Sequence, residues 1–383
     1  MRNFGSDSMT KRQEIANVPF PLKRMVLTLV LALSIAGSIQ GQDVKREDLE
    51  QRGSEARNSG NYREAEYNFR LALERAEVEN VSDTQMVVAL GNLAEALRII
   101  GDYSGAEPLF DRALRILRNS SSVDTRELPN ILTNLGMLYQ ETSRYTLSET
   151  FFDEALQLTI RDLRSEHRQL VRVLNGLGLL YASIDKKKQA EASFKRAIAV
   201  AERAGSAGSD LAPVLTDLAL FYEHQGKWKT AEPLLLRALE IAEKSFGPEH
   251  PETAAILTEL GFFYYRQAKL AQSEQMLRRS LQTRQRLFGA SDPTVAFTSL
   301  LLALVLTARQ QYEESRLLYN QSLKAEEQIF GLRSPEVATV LEEFAKFLHK
   351  IKSDEEARAL ESRAKSIRAE TGYVVRPSTS HRP

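Results

Sequence analysis

The chain contains no cysteine. Disulfides, thiol nucleophiles, iron–sulfur clusters and lipid attachment through cysteine are therefore excluded. Neither sign of charge is in excess, since 51 basic and 51 acidic side chains give a formal net charge of zero. Like charges do not form long runs, so composition gives little support to a nucleic-acid partner.

Signatures of catalysis are missing as well. The sequence has no G-x-S-x-G, no P-loop and no G-x-G-x-x-G motif, so acyl transfer and nucleotide binding have no support. No histidine has a second His or a carboxylate at zinc-ligand spacing; the five are His167, His224, His250, His349 and His381. We expect no catalytic residue, no metal, no cofactor and no small-molecule substrate. The remaining alternative is an enzyme whose site leaves no trace in the sequence.

The only long apolar run lies near the N-terminus. Lys23 and Arg24 directly precede MVLTLVLALSIAGSIQGQ at 25–42, whose apolar core spans 12 residues. A membrane-spanning helix needs about 20, whereas a basic flank, a short apolar core and a small-residue exit are typical of a secretory signal peptide. We predict that residues 1–41 are a signal peptide and that the mature protein is exported to a periplasmic, secreted or otherwise extracytoplasmic location. The alternatives are an uncleaved membrane anchor and a segment without a targeting role.

The rest of the chain repeats itself. GDYSGAEPLFDRAL at 101–114 returns as GKWKTAEPLLLRAL at 226–239, and small residues recur in steps of 41 or 42. We call these small residues the landmarks; they are Gly53, Ala94, Gly136, Gly178, Ala219, Gly261, Ala303 and Ala345. The spacing predicts one array of about eight units over residues 42–370.

Each unit predicts two helices joined by a tight turn. Apolar and small residues recur at intervals of three and four on both sides of a turn residue, which is the period of an amphipathic helix. The landmark lets the partner helix approach, and a large residue such as Phe69 or Phe110 fills the space beside it. Glycines at the bend, such as Gly60 and Gly101, supply the positive φ that ends the first helix. One unit cannot bury both of its faces alone, so we expect the units to stack.

This pattern resembles the tetratricopeptide repeat, whose signature includes L-G-x-x-Y followed by A-x-x-x-F-x-x-A. The units here exceed the roughly 34 residues of the standard form. The stretch RALEIAEKSFGPEHPETAAILTELGFFY at 237–264 is similar to the kinesin light-chain type of the repeat, which lengthens the second helix and closes it with a G-P-x-H-P turn. The resemblance implies an all-α, right-handed solenoid of about eight helix-turn-helix repeats.

Two prolines fall where the second helix of a unit should run. Pro108 and Pro233 follow Ala-Glu in the two echoed stretches. Proline inside a helix costs about 3 kcal/mol or more, but it is tolerated in the first turn. We therefore predict that these second helices either begin just before the Glu-Pro or kink there.

The last unit departs from the pattern. Lys352 and Asp354 replace the turn glycine and its aromatic, and Glu361 replaces the large apolar residue. Polar substitutions on the outer face are typical of a terminal cap. Beyond it, residues 371–383 have little apolar content and are predicted to be disordered.

The resemblance also implies a binding surface. In tetratricopeptide proteins the first helices line a concave groove that holds an extended or helical peptide. Transferred by register from the landmarks, the candidate partner-binding residues are Asn92, Glu95, Arg98, Asn134, Met137, Asn175, Asp217, Leu220, Glu259, Phe262, Tyr265 and Arg266. Leu179 shares the register of Met137, one residue after a landmark. Asparagine there can bond a peptide backbone as both donor and acceptor. Lysine is not concentrated, unlike in members that clamp a C-terminal carboxylate.

The expected function is that of a non-enzymatic protein–protein interaction scaffold, which binds a peptide segment or a protein partner in the groove after export. Cargo transport is not implied, because no heptad coiled coil precedes the repeats. The alternative is a structural, self-associating spacer or assembly factor of an envelope or secretion complex, which predicts concentration-dependent oligomers. A membrane is expected as a partner only if the N-terminal segment stays uncleaved.

Overall fold

The computed structural model describes residues 44–119, 127–161, 167–204 and 210–371. Within these ranges the chain forms sixteen α helices and no strand. The helices are α1 (Arg46–Asn58), α2 (Tyr62–Glu79), α3 (Asp83–Ile99), α4 (Tyr103–Asn119), α5 (Leu128–Glu141), α6 (Tyr145–Arg161), α7 (His167–Ser183), α8 (Lys187–Arg203), α9 (Leu211–His224), α10 (Trp228–Phe246), α11 (Pro251–Arg266), α12 (Leu270–Phe288), α13 (Pro293–Ala308), α14 (Tyr312–Phe330), α15 (Pro335–Lys350) and α16 (Asp354–Thr371). The predicted signal peptide and residues 372–383 of the predicted tail lie outside the described residues.

The helices pair into eight hairpins, numbered 1 to 8 along the chain, each with an odd-numbered first helix and an even-numbered second helix. The two helices of a hairpin pack together, and each second helix packs on the first helix of the next hairpin. First helices of successive hairpins also touch from α3 to α9 and from α11 to α15. The predicted all-α solenoid of about eight repeats is confirmed.

The landmarks lie where the two helices of a hairpin approach most closely. A Cβ atom at Gly53 would lie 2.6 Å from the ring of Phe69, and one at Gly178 would lie 2.6 Å from the ring of Phe194. Both phenylalanines are almost fully buried. The alternation of small and large residues is therefore a steric fit between the two helices of each hairpin.

The turn inside each hairpin has one backbone conformation. Gly60, Gly101 and Gly226 adopt positive φ angles of 76°, 88° and 72°, which confirms the predicted role of glycine at the bend. Non-glycine residues take the same left-handed conformation in the other five hairpins, namely Ser143, Asp185, Ala268, Gln310 and Lys352. The turn geometry is constant while its sequence varies.

The turns between hairpins 5 and 8 use glycine differently. Gly247, Gly289 and Gly331 combine φ of 94°, 80° and 84° with ψ of 165°, 174° and 162°, a region that only glycine adopts easily. His250 and Asp292 lie three residues after Gly247 and Gly289. The His250 side chain accepts a hydrogen bond from the Glu252 N–H at 3.2 Å, and the Asp292 side chain accepts one from the Thr294 N–H at 2.8 Å. These caps and the proline that follows start the next first helix.

The two prolines lie deeper in their helices than predicted. The helices α4 and α10 begin at Tyr103 and Trp228, so Pro108 and Pro233 are well inside them. The interpretation that these helices begin just before the Glu-Pro is wrong. The backbone is already helical there, because the N–H of Ala106 donates to the carbonyl four residues earlier at 3.0 Å. The hairpin turn, rather than the proline, sets the start of the helix.

The last hairpin carries its polar substitutions at the surface. The ring of His349 bonds to Asp354 through Nδ1 at 2.6 Å and to Glu361 through Nε2 at 3.1 Å. All three side chains are exposed, as a terminal unit requires. Among the described helices, none is both long enough and apolar enough to cross a membrane.

Candidate partner-binding groove

The twelve predicted partner-binding residues all lie on the first helices α3, α5, α7, α9 and α11. Arg172 on α7 donates from Nη2 to Asn134 on α5 at 3.0 Å and to Glu95 on α3 at 3.3 Å. One side chain can join first helices two hairpins apart only where those helices converge, on the inside of the curve. The first helices therefore line the concave face, which we call the groove.

The groove side of hairpins 1 to 4 is tied together by its own side chains. Arg57 on α1 donates to Asn92 at 3.3 Å and to Glu95 at 3.0 Å. Burial lowers the pKa of Arg172, and Glu95 opposes this shift. Because Asn92 and Asn134 accept hydrogen bonds from arginines, their amide oxygens are already engaged.

A second link joins hairpins 4 and 5. The amide of Asn175 donates to the carboxylate of Asp217 at 2.8 Å, and Asp217 is only 2% exposed. The Asn175 Oδ1 atom is buried and has no hydrogen-bond partner within the described part of the chain. An unmet buried acceptor costs about 1–3 kcal/mol, so this oxygen favours a donor brought by water or by a ligand.

Apolar side chains run along the middle of the groove. The residue directly after the landmark is apolar in five successive hairpins and half-buried in each. We call this row the apolar ladder; it consists of Met137, Leu179, Leu220, Phe262 and Leu304. Half-buried apolar side chains on a concave face offer area that a partner can cover.

Acidic groups lie beside the ladder in hairpins 5 and 6. Burial raises the pKa of Glu259 to about 7, and the nearby charge of Glu223 adds to the shift while Arg284 opposes it. Burial also raises the pKa of Glu223, although Arg266 donates to it at 2.8 Å. Near neutral pH, Glu259 therefore exists in both forms and can either donate or accept a hydrogen bond.

Aromatic rings and one arginine complete this part of the groove. The Phe262 and Tyr265 rings stack with centroids 6.5 Å apart. The Arg266 guanidinium lies 5.0 Å from the Trp228 ring centroid and 6.0 Å from that of Phe262. Trp228 also packs against Phe263 at 5.6 Å. Three of the predicted residues, Phe262, Tyr265 and Arg266, thus form one cluster.

Sequence reasoning missed several groove residues: Arg57, Arg172, Glu223 and Leu304. For three of them a signal was present. Leu304 follows a landmark directly, and Arg57 and Glu223 share the register of Arg98, four residues after a landmark. Arg172 lies six residues before its landmark, where no candidate was expected. In the described part of the chain, no group of three His, Asp or Glu side chains could hold a metal ion.

The stacked hairpins and the lined concave face define a class, the helical-repeat solenoids. The family model of the tetratricopeptide repeat matches residues 50–119, 127–203, 210–286 and 253–328. The chain belongs to the tetratricopeptide repeat family. Proteins built from this repeat are generally protein-interaction scaffolds. No curated protein matches the chain in sequence.

Solved structures are similar to the chain at low sequence identity. A signal-transduction ATPase with a tetratricopeptide repeat sensor from Pyrococcus horikoshii is 12% identical at a TM-score of 0.58, over 83% of this chain and 47% of that one. Aspartyl phosphate phosphatase F from Bacillus subtilis is 14% identical at 0.52, over 79% and 75%. A putative kinesin light chain from Podosopora anserina is 20% identical at 0.49, over 54% and 98%.

Proposed function

We propose that the protein is a non-enzymatic scaffold whose groove binds an extended segment of a partner protein. The observation that carries this proposal is the apolar ladder. It presents half-buried apolar side chains from hairpins 3 to 7 on the concave face. A segment lying along the groove can place its own apolar side chains on successive members of the ladder and remove both surfaces from water.

Polar groups beside the ladder supply the means to hold the backbone of such a segment. Asn175 Oδ1 lacks a partner within the described residues, and Glu259 can donate or accept near neutral pH. Amide and carboxyl groups of this kind bond main-chain N–H and C=O groups without reading side chains. The polar groups of hairpins 1 to 3 contribute less, because Asn92, Glu95 and Asn134 already bond to arginines. We place the main contact surface at hairpins 3 to 7.

Affinity capture with paired variants tests the proposal. The groove variant carries Leu220→Ala and Phe262→Ala, which shortens two members of the ladder. The control variant carries Leu236→Ala and Leu317→Ala, at positions of the second helices that are 46% and 69% exposed. Both are compared with the unaltered protein by mass spectrometry of the captured proteins, after circular dichroism has shown equal helicity.

The proposal expects a partner that the unaltered protein and the control variant capture and that the groove variant loses. Equal capture by all three proteins would contradict it. Loss from the control variant alone would place recognition on the second helices instead.

We further propose that this binding takes place after export. The support is the basic flank, short apolar core and small-residue exit of residues 25–42, a pattern typical of signal peptides. N-terminal sequencing of protein recovered from the extracytoplasmic fraction should give a start near residue 42. An intact N-terminus in the membrane fraction would support the anchored alternative, and an intact soluble chain in the cytoplasm would contradict export.

A further inference from the structure

Hairpin 1 touches hairpin 6, although four hairpins separate them along the chain. Gly60 forms the turn of hairpin 1, and a Cβ atom there would lie 2.9 Å from Cβ of Pro251 and 3.3 Å from Cζ of Phe288. Pro251 opens α11, and Phe288 ends α12. The array therefore curves so far that its first hairpin meets its sixth.

This contact lies beside the groove. Tyr62 follows the turn as the first residue of α2 and is partly buried. Burial raises the pKa of Tyr62 to about 12, with further contributions from Glu252 of α11 and Glu95 of α3. The Tyr62 phenol is thus close to charges of hairpin 6 on one side and of the groove in hairpin 2 on the other.

Hairpin 1 packs on hairpin 2 through its second helix. Its first helix buries only four residues, which are Arg46, Leu49, Gly53 and Ala56. Within the described residues it is the terminal unit, so it packs along the solenoid on hairpin 2 alone. Its polar links to hairpin 2 run from Arg57 to Glu95 and Asn92 on the groove side, and from Glu77 of α2 to Arg112 of α4. Terminal units of repeat arrays open at the lowest free-energy cost.

We propose that hairpin 1 is a gate on the groove. Docked on hairpin 6 through Gly60, it closes the side of the groove between hairpins 1 and 6. When it swings away from Pro251 and Phe288, a partner segment can enter from the side. Only the role of the gate, which is to admit a partner segment, rests on the proposed function. The contact and the opening can both be measured without a partner.

Disulfide trapping tests the contact, and the absence of native cysteine leaves no competing thiol. The pair Gly60→Cys and Pro251→Cys brings two Cβ atoms within the reach of a disulfide after a small shift. The matched control, Gly101→Cys and Pro293→Cys, occupies the same positions one hairpin further on, where a Cβ at Gly101 would meet nothing within 4 Å. We expect mild oxidation to cross-link the first pair and to leave the second reduced. No cross-link in either pair, or equal cross-linking in both, would overturn the contact.

Thiol labelling tests the opening. Met137→Cys places one thiol on the ladder, and a bulky polyethylene-glycol maleimide reports its accessibility. Phe288→Ala removes one side of the docking site, whereas Phe330→Ala changes the equivalent residue of α14, which is 44% exposed. We expect the first substitution to raise the labelling rate several-fold and the second to leave it unchanged. An unchanged rate with Phe288→Ala would overturn the gate, and equal acceleration by both substitutions would show general loosening instead.

Discussion

Single residues in the last three hairpins place charges at one register, which is buried in hairpins 6 and 7. Arg284, Glu326 and Arg368 occupy the same register on α12, α14 and α16, where hairpin 5 has Ala242. Glu326 is 8% exposed, and its Oε2 atom has no hydrogen-bond partner within the described residues. Burial raises the pKa of Glu326 to about 7, and Glu336 adds to the shift. The charges of Arg284 and Glu326 are a cost to stability rather than a source of it, whereas Arg368 is paired with Glu342.

The pH dependence of stability follows from Glu326. Its folded pKa of about 7 exceeds the ordinary value of 4.5, so the folded state binds more protons between these pH values and stability falls as pH rises through them. Glu326→Gln imitates the protonated form. We expect it to stabilise the protein on the order of 1–3 kcal/mol at about pH 8.5 and to have little effect at about pH 5.

Urea unfolding followed by circular dichroism at the two pH values checks this expectation. The exposed Glu313→Gln on the same helix serves as the control and should change neither midpoint. An equal gain for Glu326→Gln at both pH values would contradict the assignment of the effect to ionisation.

The steric fit at the landmarks makes a second prediction. Gly178→Ala places a Cβ atom against the Phe194 ring, and we expect a loss of about 1–2 kcal/mol in unfolding free energy. Hairpin 5 already combines Ala219 with Leu235 at these two positions. Adding Phe194→Leu should therefore recover part of the loss, with a coupling energy above about 0.5 kcal/mol in a double-mutant cycle. Strict additivity of the two substitutions would contradict the proposed fit.

Helices and turns were the most predictable level of this structure. Intervals of three and four between apolar residues fix a helix within one unit, and the bend is set by a local conformation, so both leave a direct trace in the sequence. The predicted start of α4 was wrong, because the preference of proline for the first turn of a helix was given priority over the turn at Gly101. The interhelical bonds of Arg172 could not be predicted, since they depend on the spacing of three hairpins.

The two kinds of turn should respond differently to the same substitution. Gly226 has the left-handed conformation that Ala268 already adopts one hairpin later, so Gly226→Ala should cost about 1 kcal/mol. Gly289 has φ 80° and ψ 174°, where a side chain costs about 1–3 kcal/mol. We expect Gly289→Ala to lower the unfolding midpoint more than Gly226→Ala does. The reverse order in urea unfolding would contradict this account of the turns.

At the scale of the whole molecule, the curvature of the hairpin array could not be predicted from the sequence. The ladder was largely predictable, because Met137, Leu179, Leu220 and Phe262 each follow a landmark directly. The meeting of hairpin 1 with hairpin 6 was not, since it accumulates from small rotations at successive interfaces that no motif encodes. The predicted groove residues consequently divide into a set engaged with arginines, such as Asn92 and Asn134, and a set near the ladder.

The most direct test of the central claim, that the ladder is the recognition surface, is site-specific photo-crosslinking. Benzoylphenylalanine replaces Phe262 in one protein and the exposed Leu317 of α14 in another, and cross-linked peptides are mapped by mass spectrometry. The account predicts that Phe262 cross-links to one continuous segment of a partner and that Leu317 does not. Cross-links to a partner from Leu317 alone would contradict it and move recognition out of the groove.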